Sequence, residues 1–130
     1  FHSSSYTANP IACAAAAANI RLWREEPVAQ RIADLSRRQK AHVEALAMLP
    51  GISGARALGT IAAVEIGTRA DGYMAQIAPA LLGFFRERNL LLRPLGNTVY
   101  AMPPYCINDA DLKSIHDAVG EAAARFGTAG

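Results

Sequence analysis

Ile52-Ser53-Gly54-Ala55-Arg56-Ala57-Leu58-Gly59-Thr60-Ile61-Ala62-Ala63-Val64-Glu65-Ile66 is the stretch on which the fold turns. It reads as two short strands, Ile52–Leu58 and Thr60–Ile66, separated by Gly59. The second is apolar at almost every position, the composition of a strand that is central in its sheet. Glu65 is its one charged member and reads as a carboxylate at the edge of the core rather than a catalyst. Upstream the periodicity is helical. Asn9 is a good N-cap and Pro10 a good first helical residue, so a helix should run from Pro10 to about Arg24. A second helix is expected from Pro27 to Ala47. Its apolar positions Val28, Ile32, Leu35, Val43 and Leu46 share a stripe that Arg37, Arg38, Lys40 and Glu44 avoid. Pro50-Gly51 ends it.

Downstream, an Asp71-Gly72 turn precedes Tyr73–Arg88, which carries Ile77, Leu81, Phe84 and Phe85 at helical spacing. Pro79 within that run must either kink the helix or mark its true start. Leu90–Leu95 and Thr98–Met102 flank Gly96-Asn97, the pattern of a β-hairpin with a two-residue turn. A last helix follows Asn108, with Asp109 and Asp111 in the turn that favours acids and Leu112, Ile115, Val119, Ala122 and Phe126 as its stripe. The expected class is α+β: a small, mainly antiparallel sheet with helices packed on one face. The expected division is 1–50 and 51–130.

With 130 residues, 52% of them hydrophobic, the chain can bury one modest core. A net charge of +2 with both signs interleaved gives no case for nucleic acid or an anionic membrane. The apolar run Ile11–Ala18 lacks a basic leader and falls short of the roughly 20 residues that span a bilayer. Cys13 and Cys106 suit neither a disulfide framework nor a metal cluster, and are expected to be reduced, buried thiols of a cytoplasmic protein. His2, His42 and His116 show no metal spacing and read as surface or partly packed residues. No Ser-His-Asp or Cys-His arrangement is present.

Two segments can carry chemistry. In the expected hairpin Leu95 pairs with Thr98, Pro94 with Val99 and Arg93 with Tyr100. A guanidinium and a phenol then emerge together among Leu91, Leu95 and Met102, able to grip a carboxylate and orient its owner. The plainer reading is a surface Arg lying over a Tyr ring. The hydroxyls of Ser3, Ser4, Ser5 and Thr7 precede the positive end of the first helix, which suits a phosphate. They equally suit ordinary caps and turns.

His2-Ser3-Ser4-Ser5-Tyr6-Thr7-Ala8-Asn9-Pro10, followed by Ala12-Cys13-Ala14-Ala15-Ala16, resembles the loop and helix of class III, pyridoxal-phosphate-dependent aminotransferases. Leu58-Gly59-Thr60-Ile61-Ala62-Ala63-Val64-Glu65 is similar to the strand that opens their small C-terminal domain. Leu92-Arg93-Pro94-Leu95-Gly96-Asn97-Thr98-Val99-Tyr100-Ala101-Met102-Pro103-Pro104-Tyr105 resembles the branch of that family in biotin synthesis. That branch moves an amino group from S-adenosylmethionine to 8-amino-7-oxononanoate. The resemblance implies the small domain of a fold-type I transferase and pyridoxal 5′-phosphate as cofactor. It also implies a homodimer and small-molecule substrates, with no metal, nucleic acid or membrane. Residue by residue, Ser5 stands where the family contacts the phosphate of the partner subunit's cofactor, and Ser4 is adjacent. Arg93 stands at the acceptor's carboxylate and Tyr100 in the substrate pocket.

There are departures. Ser3 and Ser4 replace the family's Gly and Pro or His, and Ala8 its glycine before Asn-Pro. The lysine that tethers the cofactor is expected upstream of the Asn-Pro loop. The two lysines here, Lys40 and Lys113, match neither motif, so the segment alone is not expected to catalyse transamination. The alternatives are another class III member acting on ω-amino acids or diamines, or a free-standing α+β module that binds a small carboxylate.

Overall fold

Helix ends in this protein are set by local chemistry that the sequence displays. Its computed structural model describes residues 5–67 and 77–127. Asn9 caps α1 (Pro10–Glu25), its side chain accepting from Ile11 and Ala12 N–H. Pro27 precedes α2 (Val28–Ala47). After β1 (Ile52–Leu58) and β2 (Ile61–Ile66) comes α3 (Ala78–Arg86). Pro79 lies in the first turn of α3 and therefore marks its start, where a missing N–H costs nothing. Asn89 ends that helix with φ +58, and Leu90 N–H returns to Phe85 O at 2.9 Å. The turn expected at Asp71-Gly72 and residues 73–76 of the expected helix lie outside the described residues. β3 (Thr98–Ala101) and α4 (Asp109–Phe126) complete the chain order. Asn108 caps α4 reciprocally, accepting from Asp111 N–H and donating to the Asp111 carboxylate, both at 2.8 Å.

The sheet has three antiparallel strands in the order β1-β2-β3. As the apolar run implied, β2 is central. Between the pairs Ser53–Glu65 and Arg56–Ala63, β1 carries one extra residue. Gly54 takes φ +54 there, and a Cβ would sit 2.7 Å from the Glu65 carboxyl group. Beyond β2 the expected hairpin is corrected. Gly96 (φ +61) and Asn97 do form a two-residue turn, with Leu95 and Thr98 exchanging N–H···O bonds of 2.9 and 3.0 Å. The pairing stops at that bridge, and Leu90–Pro94 form no strand. Pro94 holds φ near −65°, far from the roughly −140° of an antiparallel strand, and has no N–H to give to a ladder. Arg93 is therefore not laddered opposite Tyr100, whose partner is Ala63 of β2.

Val64, Ile66, Val99 and Ala101 point from the sheet into a core closed by Leu46 of α2, Leu81, Phe84 and Phe85 of α3, and Val119 and Ala122 of α4. Each fully buried Leu or Phe here contributes about 1.5–3 kcal/mol. All these helices cover one face, giving the expected α+β layering. Helix α1 buries none of its residues, and Ile11, Ile20, Leu22 and Trp23 are exposed. That uncovered helix corrects the thiol expectation: Cys13 lies on it, Cys106 lies in a turn, and both are free and exposed.

Candidate functional site

The sheet face turned away from the helices is the one that carries candidate chemistry. Arg56, Ala63 and Tyr100 lie in a row across β1, β2 and β3. Arg56 is committed: its guanidinium donates to Glu65 at 3.0 Å and to Gly54 O at 2.6 Å. Glu65 is thus an ion-pair partner at the margin of the core, as its sequence context suggested. Tyr100 is half-buried. Although Leu91–Leu95 is no strand, its burial alternates: Leu92 and Pro94 are buried, while Leu91, Arg93 and Leu95 are exposed. Arg93 and Tyr100 are thereby both kept out of the helix-packed core, and no carboxylate pairs with Arg93 among the described residues. Leu58, Met102 and Leu91 are exposed apolar groups on these segments.

The loop before α1 has a defined shape. Asn9 N–H bonds Tyr6 O at 3.2 Å, closing a turn in which Ala8 takes φ +57. A positive φ at the third residue is the mark of a type II turn and favours glycine. The position where Ala8 replaces a family glycine is thus a left-handed one. The helix end itself offers no spare donors to an anion. Pro10 has none, Ile11 and Ala12 give theirs to the Asn9 side chain, and Cys13 bonds Asn9 O at 2.9 Å. An anion here must be held by loop groups, and the Ser5 side chain is exposed. Ser4 lies outside the described residues.

Sequence reading missed a buried polar bridge. Gln39 on α2 is fully buried; its Nε2 donates to Thr60 O at 2.9 Å and approaches Ala101 O at 3.5 Å. Its Oε1 lies 2.7 Å from Nε2 of His116 on α4, also buried. His42 stacks on His116 with ring centroids 4.4 Å apart. Burial above all, then His42, pulls the His116 pKa from 6.5 to about 4, against a smaller raising influence of Asp117. The available signal was positional: Gln39 fills the gap between Leu35 and Val43 on the α2 stripe, and His116 stands one turn after Leu112 on α4. Lys40 and Lys113 are exposed on the helical layer, paired with Glu44 at 3.8 Å and Asp117 at 2.5 Å. Among the described residues no group of three or more His, Cys, Asp or Glu could hold a metal ion, and no helix is long and apolar enough to cross a membrane.

Compared with protein families, residues 1–122 match the model of aminotransferase class-III. The chain belongs to the class-III aminotransferase family. A curated relative of this class-III segment, adenosylmethionine-8-amino-7-oxononanoate aminotransferase of Synechococcus elongatus, is 38% identical over 125 residues. That match takes in 93% of the chain and 28% of the relative. The chain therefore spans little more than a quarter of that relative's length. Among solved structures, the enzyme of the same name from Methanocaldococcus jannaschii superposes with a TM-score of 0.83 at 22% identity, over 97% of the chain and 30% of that structure. An ω-transaminase of Pseudomonas jessenii in complex with PMP gives 0.79 at 22% identity, over 95% and 28%. At such identities the two superpositions establish the shared small-domain fold.

Proposed function

We propose that this class-III segment is the C-terminal part of a pyridoxal-phosphate-dependent aminotransferase of biotin synthesis. That enzyme would transfer an amino group from S-adenosylmethionine to 8-amino-7-oxononanoate, yielding 7,8-diaminononanoate. The observation that carries the reading is the Arg93–Tyr105 string, which leaves the Arg93 side chain exposed and without a carboxylate partner among the described residues and puts Tyr100 on the sheet face away from the helices. A relative of that name at 38% identity supports it. The bound cofactor would supply the electron sink and carry the amino group between donor and acceptor.

The residues present fit their share of this task. Ser5, exposed in a turned loop ahead of a helix N-terminus, would donate its hydroxyl to the cofactor phosphate of the partner subunit in a homodimer, with Ser4 beside it. Arg93 would hold the acceptor carboxylate through its planar fork. Tyr100 would shape the pocket beside it. Residues 1–50 would form the phosphate loop and linking helices, and 51–130 the small domain, with α2 docked on the sheet to join them. The tethering lysine would come from the rest of the enzyme, and the whole would be cytoplasmic.

Half-reactions of the full-length enzyme, followed by the cofactor's absorbance, test the reading. S-adenosylmethionine should convert the cofactor far faster than alanine does. Conversion by alanine or an ω-amino acid alone would reassign the segment to another branch of the family.

A further inference from the structure

β3 is four residues long and ends at Ala101, next to Tyr100. On one side it is laddered to β2 through Ala101. On the other, the pairing with Leu95 reaches no further than Thr98. Beyond Ala101, Pro103 and Pro104 cannot donate to any ladder. Within the sheet this strand end is therefore held from one side only, by β2. The group that reaches it is Gln39, whose Nε2 lies 2.9 Å from Thr60 O in the β1–β2 turn and 3.5 Å from Ala101 O.

Two carbonyl oxygens facing one end of the amide require the NH2 there, so Oε1 must accept from His116 Nε2 at 2.7 Å. His116 is thereby the Nε2–H tautomer. Its Nδ1 is buried with no hydrogen-bond partner, so turning the ring over would strip Gln39 of its donor. One side chain thus links α2, α4, the β1–β2 turn and the end of β3.

We propose that Gln39 is a positioning residue for Tyr100, clamping the end of β3 from the helical side, with His116 locking the orientation of the clamp. This rests on the reading that Tyr100 faces the acceptor on the opposite side of the sheet.

The test is a double-mutant cycle in the full-length enzyme, with Gln39→Met and Tyr100→Phe. Methionine keeps the volume and removes both hydrogen-bonding ends. Gln39→Met should raise the acceptor KM about tenfold with cofactor affinity unchanged, since small misplacements at a site carry large penalties. In the Tyr100→Phe background it should add little, because both changes act through one group. Amide exchange in the β3 segment should accelerate alongside. An effect of Gln39→Met that multiplies with that of Tyr100→Phe overturns the proposal. So does no effect, or joint loss of cofactor binding and activity, which would make Gln39 a general core residue. If Tyr100→Phe leaves the acceptor KM unchanged, the substrate reading fails separately. Positioning is then decided by the Tyr100 ring resonances, and their being identical in Gln39→Met overturns it.

Discussion

Acidification from pH 7 to pH 5 should destabilise this protein through His116. The ring is buried, stacked on His42, and donates a hydrogen bond from Nε2 to Gln39 Oε1. Its pKa falls from 6.5 to about 4, owing first to burial and then to His42. In the unfolded chain the same residue takes up a proton as pH falls through 6.5, while the folded state declines it until about 4. The unfolded state therefore binds more protons across that window, and stability rises with pH there. The contribution is fully present above 6.5 and lost as pH falls toward 4. At roughly 1.4 kcal/mol per pH unit, the whole effect is about 3 kcal/mol, of which about 2 kcal/mol is gone by pH 5. The Asp34 carboxyl, held below 3.8 by hydrogen bonds from Gln30 and then Arg37, contributes stability that is lost only at lower pH and does not overlap this window. Urea unfolding followed by circular dichroism at pH 7, 6 and 5 measures the slope. His116→Gln, neutral throughout, should flatten it. An unchanged slope in that variant, or a His116 ring titrating near its ordinary value by NMR, would refute the reasoning.

Ala8→Gly should stabilise the protein by about 1 kcal/mol, because the left-handed φ at this turn penalises a Cβ and not glycine; denaturant midpoints of the two proteins decide it. Gly127→Ala should cost about 2 kcal/mol or more in the same measurement, since its Cβ would lie 2.4 Å from Ala123 O and 2.7 Å from the Gly51 Cα, backbone on both sides. In the full-length enzyme, Arg93→Ala should raise the acceptor KM at least tenfold, an order-of-magnitude expectation for losing a charge-assisted contact, and Arg93→Lys should restore little because it lacks the planar fork. Equal loss of cofactor affinity would argue against a carboxylate role. Ser5→Ala should weaken cofactor retention by about fivefold, the value of one lost hydrogen bond; dialysis against cofactor-free buffer reads it, and unchanged retention would remove Ser5 from the phosphate site.

Local rules made most of the elements legible. Asn9-Pro10, Pro50-Gly51, Gly96-Asn97 and Asn108 announce their caps and turns because short-range hydrogen bonding and fixed φ values act within a few residues. The apolar run of β2 revealed a central strand, which is flanked by β1 and β3 and buries Ala62, Val64 and Ile66 against the helices. The same text misjudged Leu90–Pro94, whose apolar pattern is that of a strand while Pro94 denies it strand geometry. Thiol burial failed for a related reason: an apolar helix looks buried in sequence, and only packing decides whether anything covers it.

By itself, then, the sequence determined most of the helix and strand starts, which face of each helix is apolar, and which family motifs the chain carries. Tertiary structure alone decided that Arg93 and Tyr100 both stay out of the helix-packed core without being laddered together. It also decided that Gln39 and His116, far apart in the chain, meet in the core. Propensity and capping are local energies and can be read in order along the chain. Which buried polar groups find partners depends on how α2, α4 and the sheet pack together, and one sequence position carries no record of the other.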